Sequence, residues 1–147
     1  MDQLSLESRI RQSFDRQSLM RTLGAELVSV GDGEVHIRLP AAPHIAQQHG
    51  FAHAGAIASI ADSACGYACL SRMGASDAVL SVEFKINLMA PATGSAFLAV
   101  GKVLRAGRTI SVATAEVFAE SEDAEPRCIA IMQATMMRVE ARGGLSG

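Results

Sequence analysis

Between residues 79 and 89 the chain alternates, with Leu80, Val82, Phe84, Ile86 and Leu88 set against Ser81, Glu83, Lys85 and Asn87. A period of two predicts a strand with one apolar face. Pro91 and Gly94 break it, and AFLAVGKVLR, TISVATAEVFAE and RCIAIMQATMMRV read as three further strands. Ala106-Gly107-Arg108 makes the first turn among them, and the acidic loop from Asp123 to Pro126 the second. Upstream, AELVSV and EVHIRLP flank Gly31-Asp32-Gly33, a hairpin signal in which glycine supplies positive φ. Pro40 and Pro43 end the second of these strands.

The remaining segments follow the helical period. Residues 4–20 place Leu6, Ile10, Phe14 and then Leu19 among charges, an amphipathic N-terminal helix within residues 1–20. From 54 to about 73 the chain is small or apolar almost all round, a long helix that Gly74 closes. A helix of that kind has to be covered on most sides. The order is helix, hairpin, long helix and four strands in a meander, an α+β domain. Short connections imply mostly antiparallel pairing. One sheet curled around the long helix would cover much of it, and a second copy of the sheet would complete the burial, so a dimer at least is expected.

Length and composition narrow the class. The 147 residues suit a single domain, and hydrophobic residues make up 49%, enough for a core. The tail from 140 to 147, ending ARGGLSG, reads as flexible. Net charge is -2 with no basic cluster, and aromatics are five Phe and one Tyr, which argues against nucleic acid and anionic membranes as partners. The N-terminus mixes acids and arginines without an apolar signal core, and residues 54–71 contain too much Asp, Ser and Gly for a membrane span. Three cysteines without a CxxC pair fit a reducing compartment and read as buried small hydrophobes, so a cytoplasmic location is expected.

Asp62 is the one charged side chain between His53 and Arg72. An unpaired buried carboxylate costs several kcal/mol, so a sequence that keeps one in its most apolar helix has a use for it. Gly55, Ser59, Asp62 and Gly66 recur at spacings of four, three and four and share one helix face, clearing a channel to the carboxylate. The alternative is structural, a cap on a neighbouring loop or an arginine pair across an interface. His53 stands before the helix, and the backbone N–H groups of Ala54 and Gly55 fall in its first turn, where donors lack intrahelical partners. Such donors can receive a developing oxyanion. His53 on its own reads more readily as an ordinary loop or capping histidine. His49 and His53 lie four apart, but Gly50 interrupts any helix there and no third ligand is apparent, so no metal is expected. Arg105, Gly107 and Arg108 sit at a hairpin tip, either as a solvated turn or as a contact for phosphates.

Taken together, three segments resemble the hotdog-fold acyl-CoA thioesterases, in particular the phenylacetyl-CoA-thioesterase-like branch, over roughly residues 20–139. They are Gln47-Gln48-His49-Gly50-Phe51-Ala52-His53-Ala54-Gly55 running on through Ala61-Asp62-Ser63, then Ser81 to Pro91, then Arg105-Ala106-Gly107-Arg108-Thr109. The resemblance implies a helix wrapped by an antiparallel sheet, dimers whose sheets join edge to edge, a possible pairing of dimers, and sites at the subunit interface. It implies Asp62 as general base, or as nucleophile, and Ala54 as the N–H donor to the thioester oxygen. Gln47 would help to hold the thioester or the water, Ser81 would orient the water, and His53 would brace the loop or touch the carbonyl. Gly55 and Ser59 would border the substrate, with Arg105, Gly107 and Arg108 towards the CoA phosphates. No cofactor is implied beyond the CoA of the substrate. The family's His-Gly-Gly is here His53-Ala54-Gly55, which keeps the amide and adds a methyl. Hydrolysis of an acyl-CoA is the reading; the alternatives are a non-catalytic acyl-CoA-binding module and a hydratase or dehydratase of the same fold.

Overall fold

The computed structural model describes residues 1–140 and Gly147; the tail segment named above lies, but for its two ends, outside the described residues. Helices α1 (Gln3–Asp15) and α2 (Ser18–Leu23) precede strands β1 (Glu26–Gly31) and β2 (Glu34–Pro40). Helix α3 (Ala54–Leu70) follows, then β3 (Ala78–Leu88), β4 (Ala96–Ala106), β5 (Ile110–Ser121) and β6 (Ala124–Val139). All strands form one antiparallel sheet in the order β1-β2-β4-β5-β6-β3, curled around α3.

The expected meander holds only for β4, β5 and β6. β3 pairs with β6 and not with β4, so it lies at the far edge of the sheet. The single N-terminal helix is in fact two. Gln17 takes an extended conformation between them, and the turn of phase buries Met20 (1% exposed) where Leu19 was expected, leaving Leu19 at 52%. Leu6, Ile10 and Phe14 are buried as their spacing requires. In the first hairpin, Asp32-Gly33 forms the two-residue turn and Gly33 carries φ of 83°.

The long helix ends earlier than expected. Ser71 caps it: its hydroxyl donates to Ala68 O at 2.6 Å and accepts from the Gly33 N–H at 2.7 Å. Gly74 belongs instead to a following turn in which its N–H donates to Asp77 Oδ2 at 2.8 Å. Arg9 of α1 gathers this turn by donating to the carbonyls of Leu70, Met73, Gly74 and Asp77 at 2.7–3.4 Å. One guanidinium thereby binds four carbonyls, which anchors α1 to the C-terminal end of α3.

The core lies between α3 and the inner sheet face. Ile57, Ile60, Ala61, Ala64 and Cys65 meet Val35, Ile37, Leu39, Phe97, Val117, Met132 and Met136, all fully or almost fully buried. Gly101 sets the helix-to-sheet distance at β4. A Cβ there would stand 2.4 Å from the backbone carbon and oxygen of Ala64, nearer than atoms tolerate. Gly101→Ala should therefore force helix and sheet apart and cost roughly 1–3 kcal/mol, the range for overpacking; a denaturant titration with unchanged slope measures it.

Candidate functional site

The site begins with a fault in the alternation of β3. Ser81 pairs with Met136 and Glu83 with Thr135, so Val82 is an extra residue, a β-bulge. Because the side-chain period is two, one inserted residue exchanges the faces on either side of it. Phe84, Ile86 and Leu88 stand opposite Ala134, Met132 and Ala130, which are fully buried, and so face the helix. Ser81 stands opposite the fully buried Met136 and faces the helix too. Leu80 and Val82 do not share the face of Phe84, as unbroken alternation required. The bulge brings Ser81 under α3, where its hydroxyl donates to Asp62 Oδ1 at 2.7 Å.

Asp62 is half-buried, less enclosed than its apolar setting in the sequence implied. Among the described residues Asp62 caps no loop and meets no arginine. With Oδ1 held by Ser81, Oδ2 has no partner among the described residues. The deeply buried carboxylate is another one, Asp77, at 6% exposure. It binds the Gly74 N–H and stands 3.4 Å from Arg138, a structural role that the sequence reading missed. Asp62 and Ser81 line a cavity of about 300 Å³ that runs along α3 towards α1.

A second group forms at the N-terminus of α3. The loop that leads into it is closed at its neck by Gln47 N–H to Phe51 O and His53 N–H to Ile45 O, both 2.8 Å. His53 caps the helix, its Nδ1 accepting from the Gly55 N–H at 2.8 Å. The neutral ring then carries its proton on Nε2 and can donate from there. The Gly55 N–H is thus taken, whereas the Ala54 N–H has no partner among the described residues. Gln47 accepts from the His49 N–H, and the Ser59 hydroxyl turns back onto Gly55 O at 2.7 Å. Gln47, His53 and Ala54 border a separate cavity of about 320 Å³ together with Phe51 and Leu88.

The two groups do not meet within one chain. Ala54 and Asp62 are eight residues apart on one helix, about 12 Å along its axis at 1.5 Å per residue. Arg105 and Arg108 are exposed at the β4–β5 tip with Gly107, away from both. The cysteines are not part of this chemistry. Burial pushes the Cys65 thiol far up and that of Cys69 up to about 11. Among the described residues no helix is long and apolar enough to cross a membrane.

The model of the thioesterase superfamily matches residues 49–125, from the loop before α3 through β5. The chain belongs to the thioesterase superfamily. A thioesterase family protein from Silicibacter pomeroyi has the same fold, with a TM-score of 0.90 and 44% identity over 92% of this chain and 99% of that one. A Halobacterium salinarum protein provisionally named an esterase is 30% identical over 83% of this chain and 85% of its own length. The PaaI protein from the phenylacetic acid degradation operon of E. coli shares the fold at a TM-score of 0.80, with 18% identity over 92% of this chain and 94% of its own. The architecture is that of a hotdog-fold thioesterase: a long helix wrapped by an antiparallel sheet, with an added N-terminal helical segment.

The superfamily match covers the His53 cap, Asp62 and Ser81 but neither N-terminal helix. Three polar residues at the inner end of the Asp62 cavity, Ser13, Gln17 and Tyr67, escaped the sequence reading. Tyr67 had a signal available, being the single tyrosine in an otherwise small and apolar helix, where its hydroxyl needs a partner. Ser13 and Gln17 carried none. Since the imidazole of His53 is the N-cap of α3, His53→Ala should lower stability by about 0.5–2 kcal/mol and His53→Asn should restore most of it. Thermal denaturation of the two variants beside the wild type checks this.

Proposed function

We propose that the protein hydrolyses acyl-CoA thioesters, with Asp62 as general base. The observation that carries this reading is the short hydrogen bond from Ser81 to Asp62 Oδ1, which leaves Oδ2 open at the mouth of a cavity. Water held there gives its proton to Asp62 while its oxygen attacks the thioester carbon. A thioester carbonyl is already electrophilic, so a base and an oxyanion donor suffice. The tetrahedral intermediate then expels the CoA thiolate, which takes the proton back from Asp62. Ser81 fixes the carboxylate and can accept from the same water.

The oxyanion donor is the Ala54 N–H of a second copy, since about 12 Å separates Ala54 from Asp62 in one chain. A homodimer joined along β3 accounts for the exposed apolar residues there. β3 is an edge strand, and its Val82, Phe84 and Leu88 are 54%, 44% and 52% exposed. Unpaired edges bearing apolar side chains call for a partner. In such a dimer the face formed by Gly55, Ser59 and Asp62 borders the substrate, Gln47 and His53 steady the carbonyl from the other protomer, and Arg105, Gly107 and Arg108 receive the nucleotide phosphates. The mechanism requires no cofactor.

Asp62→Ala should lower kcat by about 10²–10⁴-fold while leaving a folded dimer, measured as release of free CoA thiol. Full activity in that variant overturns the mechanism. Ala54→Pro removes the proposed donor at the first helical position, where proline is tolerated, and should be similarly impaired. Mixed dimers of Asp62→Ala and Ala54→Pro protomers should recover activity that neither homodimer has, because one of their two sites is intact. No recovery on mixing, with exchange demonstrated, would exclude a shared site. Arg108→Ala should raise KM for acyl-CoA more than for a truncated thioester lacking the nucleotide; equal effects on both would remove its phosphate role.

A further inference from the structure

The Asp62 cavity has a polar far end. From the Asp62–Ser81 pair it runs past Leu70 and Met136 to Tyr67, Gln17 and Ser13, the last two contributed by the N-terminal helical segment. Tyr67 lies five residues beyond Asp62 on α3, about 7.5 Å along the axis. Its ring packs on Phe14, with centroids 6.2 Å apart, and only 4% of the residue is exposed. The Gln17 amide donates to the Tyr67 hydroxyl at 2.7 Å, the Ser13 hydroxyl shares a hydrogen bond with it at 3.1 Å, and Ser63 donates to Gln17 Oε1 at 3.4 Å.

Two protons of this cluster have no acceptor among the described residues. Tyr67 and Ser13 bring one hydroxyl proton each, and their mutual contact uses one of them. The other has no acceptor among the described residues, and neither does the second Gln17 amide proton. A donor facing a cavity is matched by an acceptor on whatever fills it, and a purely hydrocarbon occupant would leave it unpaired at a cost. From the opposite end, the cavity is where the acyl group of a thioester attacked at Asp62 would extend.

We propose that Tyr67 and Gln17, with Ser13, are specificity-determining residues that select acyl groups bearing an oxygen at the end remote from the thioester. This rests on the thioesterase reading and adds to it the substrate class. The N-terminal helical segment then does more than cover the sheet, because it supplies Ser13 and Gln17 to the polar end of the acyl cavity.

The experiment compares kcat/KM for butanoyl-, hexanoyl- and octanoyl-CoA with that for their ω-hydroxy counterparts, in the wild type, Tyr67→Phe and Gln17→Leu. The wild type should favour the ω-hydroxy member of at least one pair by about tenfold, the worth of one well-placed hydrogen bond. Each substitution should bring that ratio towards one. Gln17→Leu carries the test if Tyr67→Phe fails to fold. A role limited to docking α1 would lower both members of a pair together and leave the ratio unmoved, which overturns the inference. Equal turnover of both members of every pair by the wild type also overturns it and leaves the thioesterase reading standing. No release of CoA from any thioester by folded wild type overturns the thioesterase reading, and this inference with it.

Discussion

Helix α3 can lie against the sheet as closely as it does because both sides of the contact have given up side-chain bulk. Ala56, Ala61, Ala64, Cys65 and Ala68 face inwards on the helix, and Gly101 stands opposite Ala64 on β4. Close approach gains dispersion contacts along the whole helix and lets one curled sheet reach most of its circumference. It also fixes the depth of Asp62. A helix held further out would lift the carboxylate away from β3, and the 2.7 Å bond from Ser81 would be lost. Packing and chemistry therefore share a single distance.

The same economy of bulk leaves one side open. Phe84 and Leu88 face the helix side of the sheet, yet about half of each remains in contact with solvent, because α3 does not extend over the β3 edge. The first two residues of α3, Ala54 and Gly55, are exposed as well. An incomplete core and, on the proposed mechanism, an incomplete catalytic group in one protomer would have the same remedy, a second copy of the chain. That coincidence is the strongest physical argument for a shared site.

Much of this was legible in the sequence. The periods of two and 3.6 located every strand and the long helix, and the isolation of Asp62 singled out the residue on which the proposed chemistry turns. What escaped was set by register and by contacts distant in sequence. Alternation through Leu80, Val82, Phe84, Ile86 and Leu88 is unbroken in the sequence, so nothing local announces a bulge at Val82. The position of β3 beside β6 and the four-carbonyl grip of Arg9 are likewise products of chain crossings, whereas the capping of Gly74 by Asp77 is a local turn that lay within reach of the sequence. Leu19 and Met20 exchanged places because the helix broke at Gln17, a residue without a strong breaking signal.

The bulge has a further consequence. β3 behaves as two rulers laid end to end with their marks offset by one, the first ruler placing Ser81 and the second placing the apolar row that closes the core. Homologous exchange of the whole strand for one with the same hydrophobic spacing but no extra residue would satisfy the second ruler and rotate the serine to the outer surface. The product would be well packed and without its polar hand on Asp62. Sequence similarity in this strand is therefore a poor guide to the Ser81–Asp62 pairing unless the phase of its first half is counted separately from the second.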